Sequence, residues 1–201
     1  MYAKITDGAI GAIGTLKKLF PNTSFPGGMA DSDFKTANGL QDIVNAEQKD
    51  RKYYWVTQGD ITLVDGVATQ GFTNTAKAIE DVDAKDSDGN QLYVQVWDAD
   101  FDNGEGEEPG KMVDTSEKMI THGLKYSFKN QIKSQANSAL TQTDWMVIRL
   151  AEREVAIPDA TVTYRAAVIT EYGRLKTAIT GAADVDALAV VMNAQNWPET
   201  D

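Results

Sequence analysis

The sequence predicts an α+β protein, in which an N-terminal antiparallel β domain is followed by a C-terminal α-helical region. Residues 40–98 contain short runs of alternating apolar side chains separated by turn signals, which is typical of strands. From residue 114 onward, apolar side chains recur every three to four positions, as in amphipathic helices. Because the two patterns are segregated along the chain, we expect a mostly β domain over 1–110 and α-helices over 111–201.

The N-terminal segment is expected to begin with a hairpin, because residues 1–5 and 9–10 flank the turn signal Asp7-Gly8. Residues 16–25 contain a proline and several turn-forming residues, and are predicted to run as an irregular, strand-like arm. A short helix should follow, capped by Asp31 or Ser32 and stopped near residue 38.

Several strands are predicted over the rest of the β domain. The clearest is KYYWVT at 52–57, rich in aromatic and β-branched side chains. Residues 61–64 and 67–72 should pair across Asp65-Gly66. Weaker alternation covers 41–46. A turn at 86–90 leads into a strongly alternating strand at 92–97.

The helical region is predicted to start at a capping box formed by Asp114 and Glu117. One face of this first helix would carry Ile120, Leu124, Phe128, Ile132, Ala136 and Leu140. A second helix should begin at Thr143 or Asp144, with Trp145 as its buried aromatic anchor, and end before Pro158.

A third helix is expected to start at Pro158 or Asp159 and to stop at Gly181. Its buried face is predicted to carry Val168, Tyr172, Leu175 and Ile179. Asp184 would cap a short last helix with apolar positions at Val185, Leu188 and Met192.

The net charge of −11 is concentrated in one part of the chain. Thirteen acids and two bases lie between Glu80 and Glu117, while the remainder carries seventeen residues of each sign. No basic patch is present, so we expect no nucleic-acid binding. The chain has no cysteine, no apolar run long enough for membrane insertion and no signal-peptide pattern at its start.

One loop has the residue types of a metal site. Asp98, Asp100 and Asp102 alternate as the first ligands of a calcium loop do. The rest of that motif fails, because Asn103 precedes the glycine and Pro109 stands where a bidentate glutamate is needed. A calcium ion or a solvated acidic loop are the two alternatives, and no other cofactor is expected.

Catalytic motifs are sparse. His122 is the only histidine, and neither a Gly-x-Ser-x-Gly nor a phosphate-binding glycine motif occurs. We therefore expect a protein that is not an enzyme. Five aromatic residues could line a sugar-binding face, although core or cross-strand packing is the commoner role for such residues. They are Tyr53, Tyr54, Trp55, Tyr93 and Trp97.

The last part of the chain carries short motifs: Thr-Asp-Trp at 143–145, Ile-Pro-Asp at 157–159, Tyr-Arg at 164–165 and Asn-Trp-Pro at 196–198. This arrangement resembles the C-terminal helical segment of tailed-bacteriophage tail proteins, found in tail-fibre assembly proteins and small virion tail proteins. The start, MYAK with a following Asp-Gly and then PNTSFP, resembles small proteins encoded among phage tail genes. The matching C-terminal positions are Thr143, Asp144, Trp145, Pro158, Tyr164, Arg165, Trp197 and Pro198.

The resemblance implies a non-enzymatic structural component of a tailed-phage virion, in the tail, baseplate or tail-fibre attachment region, assembled in the host cytoplasm. It implies contacts with other phage tail proteins and a homo-oligomer or a place in a symmetric assembly. The α-helical region would be the docking region. The partner-binding residues it suggests are Trp145, Arg149, Tyr164, Arg165 and Trp197.

Two alternatives stay open. The segment also resembles that of tail-fibre assembly proteins, which implies a chaperone that would engage a fibre transiently and then leave. A small depolymerase acting on host glycan would instead need a pair of carboxylates facing the aromatic strands.

Overall fold

The computed structural model of the protein describes residues 1–99 and 110–199. The chain forms two compact units, Met1–Ala76 and Lys77–Asp201. Strands fill the N-terminal part and three helices the C-terminal part, which confirms the predicted α+β class. The break between the units lies after Ala76, whereas the sequence placed the change from strands to helices near residue 110.

The first unit is built from two three-stranded sheets and two short helices. Its elements are β1 Tyr2–Thr6, β2 Ala9–Gly14, α1 Leu16–Leu19, α2 Ser32–Ala37, β3 Leu40–Asp42, β4 Val44–Asn45, β5 Tyr54–Val64 and β6 Val67–Ala76. One sheet has the order β2-β1-β3 and the other β4-β6-β5. The pairing of β4 with β6 is parallel, and the others are antiparallel.

Both Asp-Gly turns form the predicted hairpins. The φ angles are 50° and 74° at Asp7-Gly8 and 51° and 79° at Asp65-Gly66, as a type I′ turn requires. The predicted strand at 52–57 is not separate from the following one, because β5 is continuous. The register of the pairing between β5 and β6 shifts between Gln58 and Ile61. There the buried Gln70 side chain donates to the Gly59 carbonyl at 2.5 Å.

The prediction of a strand-like arm at 16–25 is wrong for its first four residues. Residues Leu16–Leu19 form α1, because the Thr15 hydroxyl caps the helix by accepting from the Lys18 amide. The chain then turns. The rings of Phe20, Phe25 and Phe34 pack edge to face over the core formed by Leu16, Ala30 and Leu40.

The second unit combines two strand pairs with three helices. Its elements are β7 Val82–Asp83, β8 Tyr93–Asp98, β9 Lys111–Lys118, β10 Ile120–Thr121, α3 Leu124–Arg153, α4 Asp159–Gly181 and α5 Val185–Asn193. Strand β8 pairs with β9 and β7 with β10, both antiparallel. The predicted turn at 86–90 is confirmed. The Asp86 carboxylate accepts from the Asn90 side chain and amide, and from the Asp88 amide, which lowers its pKa.

The predicted helix start at Asp114 and Glu117 is wrong, because residues Lys111–Lys118 pair with β8 as a strand. Ile120 belongs to β10 and is exposed. The helix begins only after Gly123, whose amide donates to the Asp81 carboxylate at 2.9 Å. The amides of Leu124 and Lys125 donate to the carbonyls of residues 78 and 79. The free amides of the first turn therefore have acceptors from outside the helix.

Helix α3 is also longer than predicted. The expected break near residues 140–143 is absent, and one helix of 30 residues, about 45 Å long, runs from Leu124 to Arg153. No glycine or proline lies between Gly123 and Pro158 to interrupt it. The helix ends at Glu154, whose φ of 55° is left-handed.

The apolar faces predicted for the helices are largely confirmed. Along α3, buried positions recur every four residues, and α4 buries three of the four predicted side chains fully. Asp184 caps α5 by accepting from the Ala187 amide at 2.7 Å. The buried apolar side chains are Phe128, Ile132, Ala136, Val168, Leu175, Ile179, Val185, Leu188 and Met192.

Candidate functional site

Helices α3 and α4 form an antiparallel hairpin that Arg165 ties together. The connection at 154–158 is short, and Arg165 lies in the second turn of α4. Its Nη1 lies within hydrogen-bond distance of three oxygens of α3: the Leu140 carbonyl at 2.9 Å, the Thr143 hydroxyl at 2.7 Å and the Asp144 carboxylate at 2.9 Å. A charged donor shared by these oxygens fixes the two helices against each other.

This contact brings two of the sequence motifs together. Thr143 and Asp144 were predicted to cap a helix, but their side chains instead accept from Arg165 of the Tyr-Arg motif. Arg165 is thus placed within the hairpin, and its side chain is only 20% exposed. The neighbouring Tyr164 is half-buried.

Residues 144–169, which we call the hairpin end, carry exposed apolar side chains. Trp145 is 52% and Ile148 56% exposed on α3, and their spacing of three places them on one side. On α4, Val162 and Ile169 are 50% and 57% exposed, two turns apart. Further exposed apolar side chains belong to Val147, Leu150 and Val155.

The prediction that Trp145 is a buried anchor is wrong. In the continuous helix α3, Trp145 lies on the outer side, while the groups that accept from Arg165 are the Leu140 carbonyl and the side chains of Thr143 and Asp144. The guanidinium of Arg149 lies 4.9 Å from the centre of the Trp145 ring. This cation–π contact is worth about 0.5–1 kcal/mol at an exposed site and holds the ring on the surface.

The charges of the hairpin end are balanced. Residues 144–169 contain four acids and three arginines, in contrast to the acidic stretch between Glu80 and Glu117. An apolar surface edged by both signs of charge is suited to protein contact, because neither sign repels an approaching partner.

The C-terminal Asn-Trp-Pro motif is held by a buried carboxylate. Glu171 accepts from Nε and Nη2 of Arg174, both at 2.7 Å, and from the Asn196 amide at 2.8 Å. The hydrogen bonds from Arg174 hold the pKa of Glu171 below its ordinary value. Trp197 is half-buried, and its Nε1 donates to Gln195 at 2.9 Å. This predicted contact residue therefore lies in a segment anchored to α4.

Sequence reasoning missed Glu171, which is not among the side chains predicted for the buried face of α4. The available signal was the Glu-x-x-Arg spacing of Glu171 and Arg174, which lets the two side chains meet on one helix face. The second acceptor role of Glu171, toward Asn196, depends on how the chain returns after α5 and has no local signal.

His122 lies at the start of α3. Its Nδ1 is 3.0 Å from one oxygen of Asp81, and its ring stacks on Tyr126 with the centroids 3.5 Å apart. The other Asp81 oxygen accepts from Gly123, and this bond together with His122 lowers the pKa of Asp81. These contacts attach the N-terminal end of α3 to Asp81.

The remaining predicted site residues are dispersed. Asp98 ends β8, while Asp100 and Asp102 lie outside the described residues. Within 1–99 and 110–199, no group of three or more potential metal ligands occurs. The aromatic set divides between the units: Tyr53 and Tyr54 are buried, Trp55 is exposed in the first unit, and Tyr93 and Trp97 belong to β8.

Comparisons with known proteins add no information to this geometry. In the part of the chain that the structure describes, no helix combines the length and apolar character needed to cross a membrane. A scan against protein families, a search of curated proteins and a search of solved structures find no match to this chain.

Proposed function

We propose that the protein is a structural component of the tail of a tailed bacteriophage and works through protein–protein contacts. The observation that carries the proposal is the hairpin end, where large apolar side chains are exposed next to a rigid helix pair. The resemblance of the motifs at 143–145, 157–159, 164–165 and 196–198 to tail proteins supplies the biological setting.

The occupant we propose for the hairpin end is a second copy of the same chain. Two copies that each carry a net charge of −11 repel each other, and most of that charge lies between Glu80 and Glu117. The hairpin end avoids this repulsion because its acids and arginines nearly cancel. A two-fold interface can also pair arginines of one copy with acids of the other.

Analytical ultracentrifugation of the full chain tests this self-association. Ile148→Asp removes an apolar contact of about 1.5 kcal/mol from each copy, counted twice in a two-fold interface. The dissociation constant should therefore rise by about a hundredfold. Because Ile148 is exposed, the variant should melt at the wild-type temperature when dilute.

Val190→Asp is the matched control. Val190 is an apolar helical residue with 68% exposure, but it lies on α5 outside the hairpin end. We expect it to associate like the wild type. A wild-type chain that stays monomeric at all concentrations, or equal weakening by both variants, would contradict the proposed interface.

A fibre-assembly chaperone is the second candidate, because the motif-bearing segment also resembles tail-fibre assembly proteins. The two functions differ in whether the protein stays in the particle. Quantitative mass spectrometry of purified virions should find the chain in a fixed ratio to the other tail proteins. A chain that is present in infected cells and missing from virions would favour the chaperone.

A further inference from the structure

The β8–β9 ribbon, residues 93–98 and 111–118, is a sheet of only two strands. Among the described residues these strands form a sheet with each other and with no third strand, so one edge of β8 over residues 93–97 has no neighbouring strand. A two-stranded ribbon is marginally stable by itself. Open strand edges carry unpaired amides and carbonyls that can accept another strand.

The ribbon also exposes large apolar side chains on both faces. Trp97, 63% exposed, lies opposite Met112, 46% exposed, on one face. Val96, 47% exposed, points to the other face because neighbouring strand residues alternate. Side chains of this size at an open edge are the contacts that an added strand would cover.

A pocket of about 420 Å³ lies along the first half of β8. Its lining residues are Gln91, Leu92, Tyr93, Val94, Gln95, Asp114 and Met119. Asp114 is the only charged residue among them, and its carboxylate accepts from the Gln95 side chain at 2.9 Å. The pocket is therefore lined by both apolar and amide side chains, with one negative charge at its wall.

The sequence between the two strands is acidic. The residues that connect the strands, 99–110, contain five acids and no base, and they are covalently bound to the ribbon. A second copy of this ribbon would bring like charges together, which opposes self-pairing. A basic partner would instead be attracted.

We propose that the β8–β9 ribbon binds an extended, lysine- or arginine-rich segment of another protein, which adds a strand along β8 and places a basic side chain beside Asp114. Main-chain hydrogen bonds to the open edge would hold the segment in place, and the pocket would select the side chain. The surface is distinct from the hairpin end, so either proposal can fail without the other.

Calorimetric titration of the full chain with a capped octapeptide of alternating lysine and valine tests the inference. The expected result is one-to-one binding that weakens as salt is raised, since opposite charges are screened. A capped octapeptide of alternating glutamate and valine should not bind. Absence of binding by the basic peptide, or equal binding of both peptides, would overturn the proposal.

Two isosteric variants locate the site. Asp114→Asn should weaken binding of the basic peptide by about tenfold, because it removes the charge at the pocket wall. Asp88→Asn removes an equal charge in the exposed turn at 86–90 and should leave binding near the wild-type value. Equal weakening by both variants would mean that only net charge attracts the peptide.

Hydrogen exchange of the complex tests the mode of binding. Amides of residues 93–98 should exchange more slowly when the peptide is bound, because an added strand would cover the open edge of β8. Peptide binding without protection in the ribbon would overturn strand addition. Protection that instead grows with protein concentration alone would show that a second copy occupies the ribbon.

Discussion

Replacing Glu171 by alanine should release the C-terminal segment from α4. The substitution removes the carboxylate that accepts two bonds from Arg174 and one from the Asn196 amide. Arg174 is 47% exposed and can be rehydrated, so its pairing contributes about 1 kcal/mol. The bond from Asn196 to a buried, charged acceptor contributes about 2 kcal/mol. We expect a loss of about 3 kcal/mol, or a fall in Tm of about 6–12 °C.

Thermal unfolding followed by circular dichroism at low protein concentration measures the effect. Glu152→Ala is the control, because Glu152 is an exposed helical glutamate of α3. It should change the unfolding free energy by less than about 0.5 kcal/mol. Similar melting temperatures for the two variants would refute the anchoring role of Glu171.

The Glu171 contribution should also depend on pH in one direction. Its folded pKa lies below its unfolded value, so its stabilisation is complete above the unfolded pKa. The stabilisation is lost as the pH falls through the folded pKa, where the carboxylate gains a proton. The difference in stability between the wild type and Glu171→Gln should therefore shrink on acidification. A difference that stays constant with pH would contradict the charged pairing with Arg174.

Three further substitutions test other parts of the second unit by thermal unfolding. Arg165→Ala should cost about 2–3 kcal/mol, because a charged donor to three oxygens of α3 is lost. Arg149→Ala, which removes the contact with the Trp145 ring and no such shared hydrogen bond, should cost less than Arg165→Ala. Trp145→Ala should change the stability of the dilute chain by less than about 1 kcal/mol, because its ring is exposed, and a loss of about 3 kcal/mol or more would mean that the ring is buried. Gly123→Ala should destabilise the start of α3, because the added Cβ would lie 2.3 Å from the Glu80 carbonyl oxygen; Gly173→Ala, with open space around it, should be neutral or stabilising.

Local patterns predicted the elements whose cause is local. The two Asp-Gly hairpins, the caps at Asp31 and Asp184 and the buried stripe of α4 depend on residues within a few positions of each other. Those elements have the predicted type and nearly the predicted bounds. The physical reason is that turn geometry and helix periodicity act over one or two turns of chain.

The misassigned elements are decided by distant residues. Asp114 and Glu117 have the spacing of a capping box, but pairing with β8 across the connecting residues makes their segment a strand. Thr143 and Asp144 are good capping residues, but Arg165, about twenty positions later, uses their oxygens and the helix continues through them. Exposure of Trp145 follows from the same continuity.

The sequence patterns predicted only some features of the hairpin end. The motif at 143–145 lies where this segment begins, and the Trp145 ring is exposed there with the half-buried Arg149 against it. Arg165 and Trp197, which were also predicted as contacts, are half-buried, and their side chains donate to Asp144 and to Gln195. A list of predicted residues does not show which side chains hold the helices together and which are exposed on the surface.

Hydroxyl-radical footprinting of the tryptophan side chains, at low and high concentrations of the full chain, tests the central claim most directly. Trp145 and Trp55 are 52% and 65% exposed, so both should be oxidised readily in the dilute protein. If copies of the chain meet through the hairpin end, raising the concentration should protect Trp145 and leave Trp55 unchanged. Oxidation of Trp145 that is independent of concentration in a chain that does associate would contradict the account.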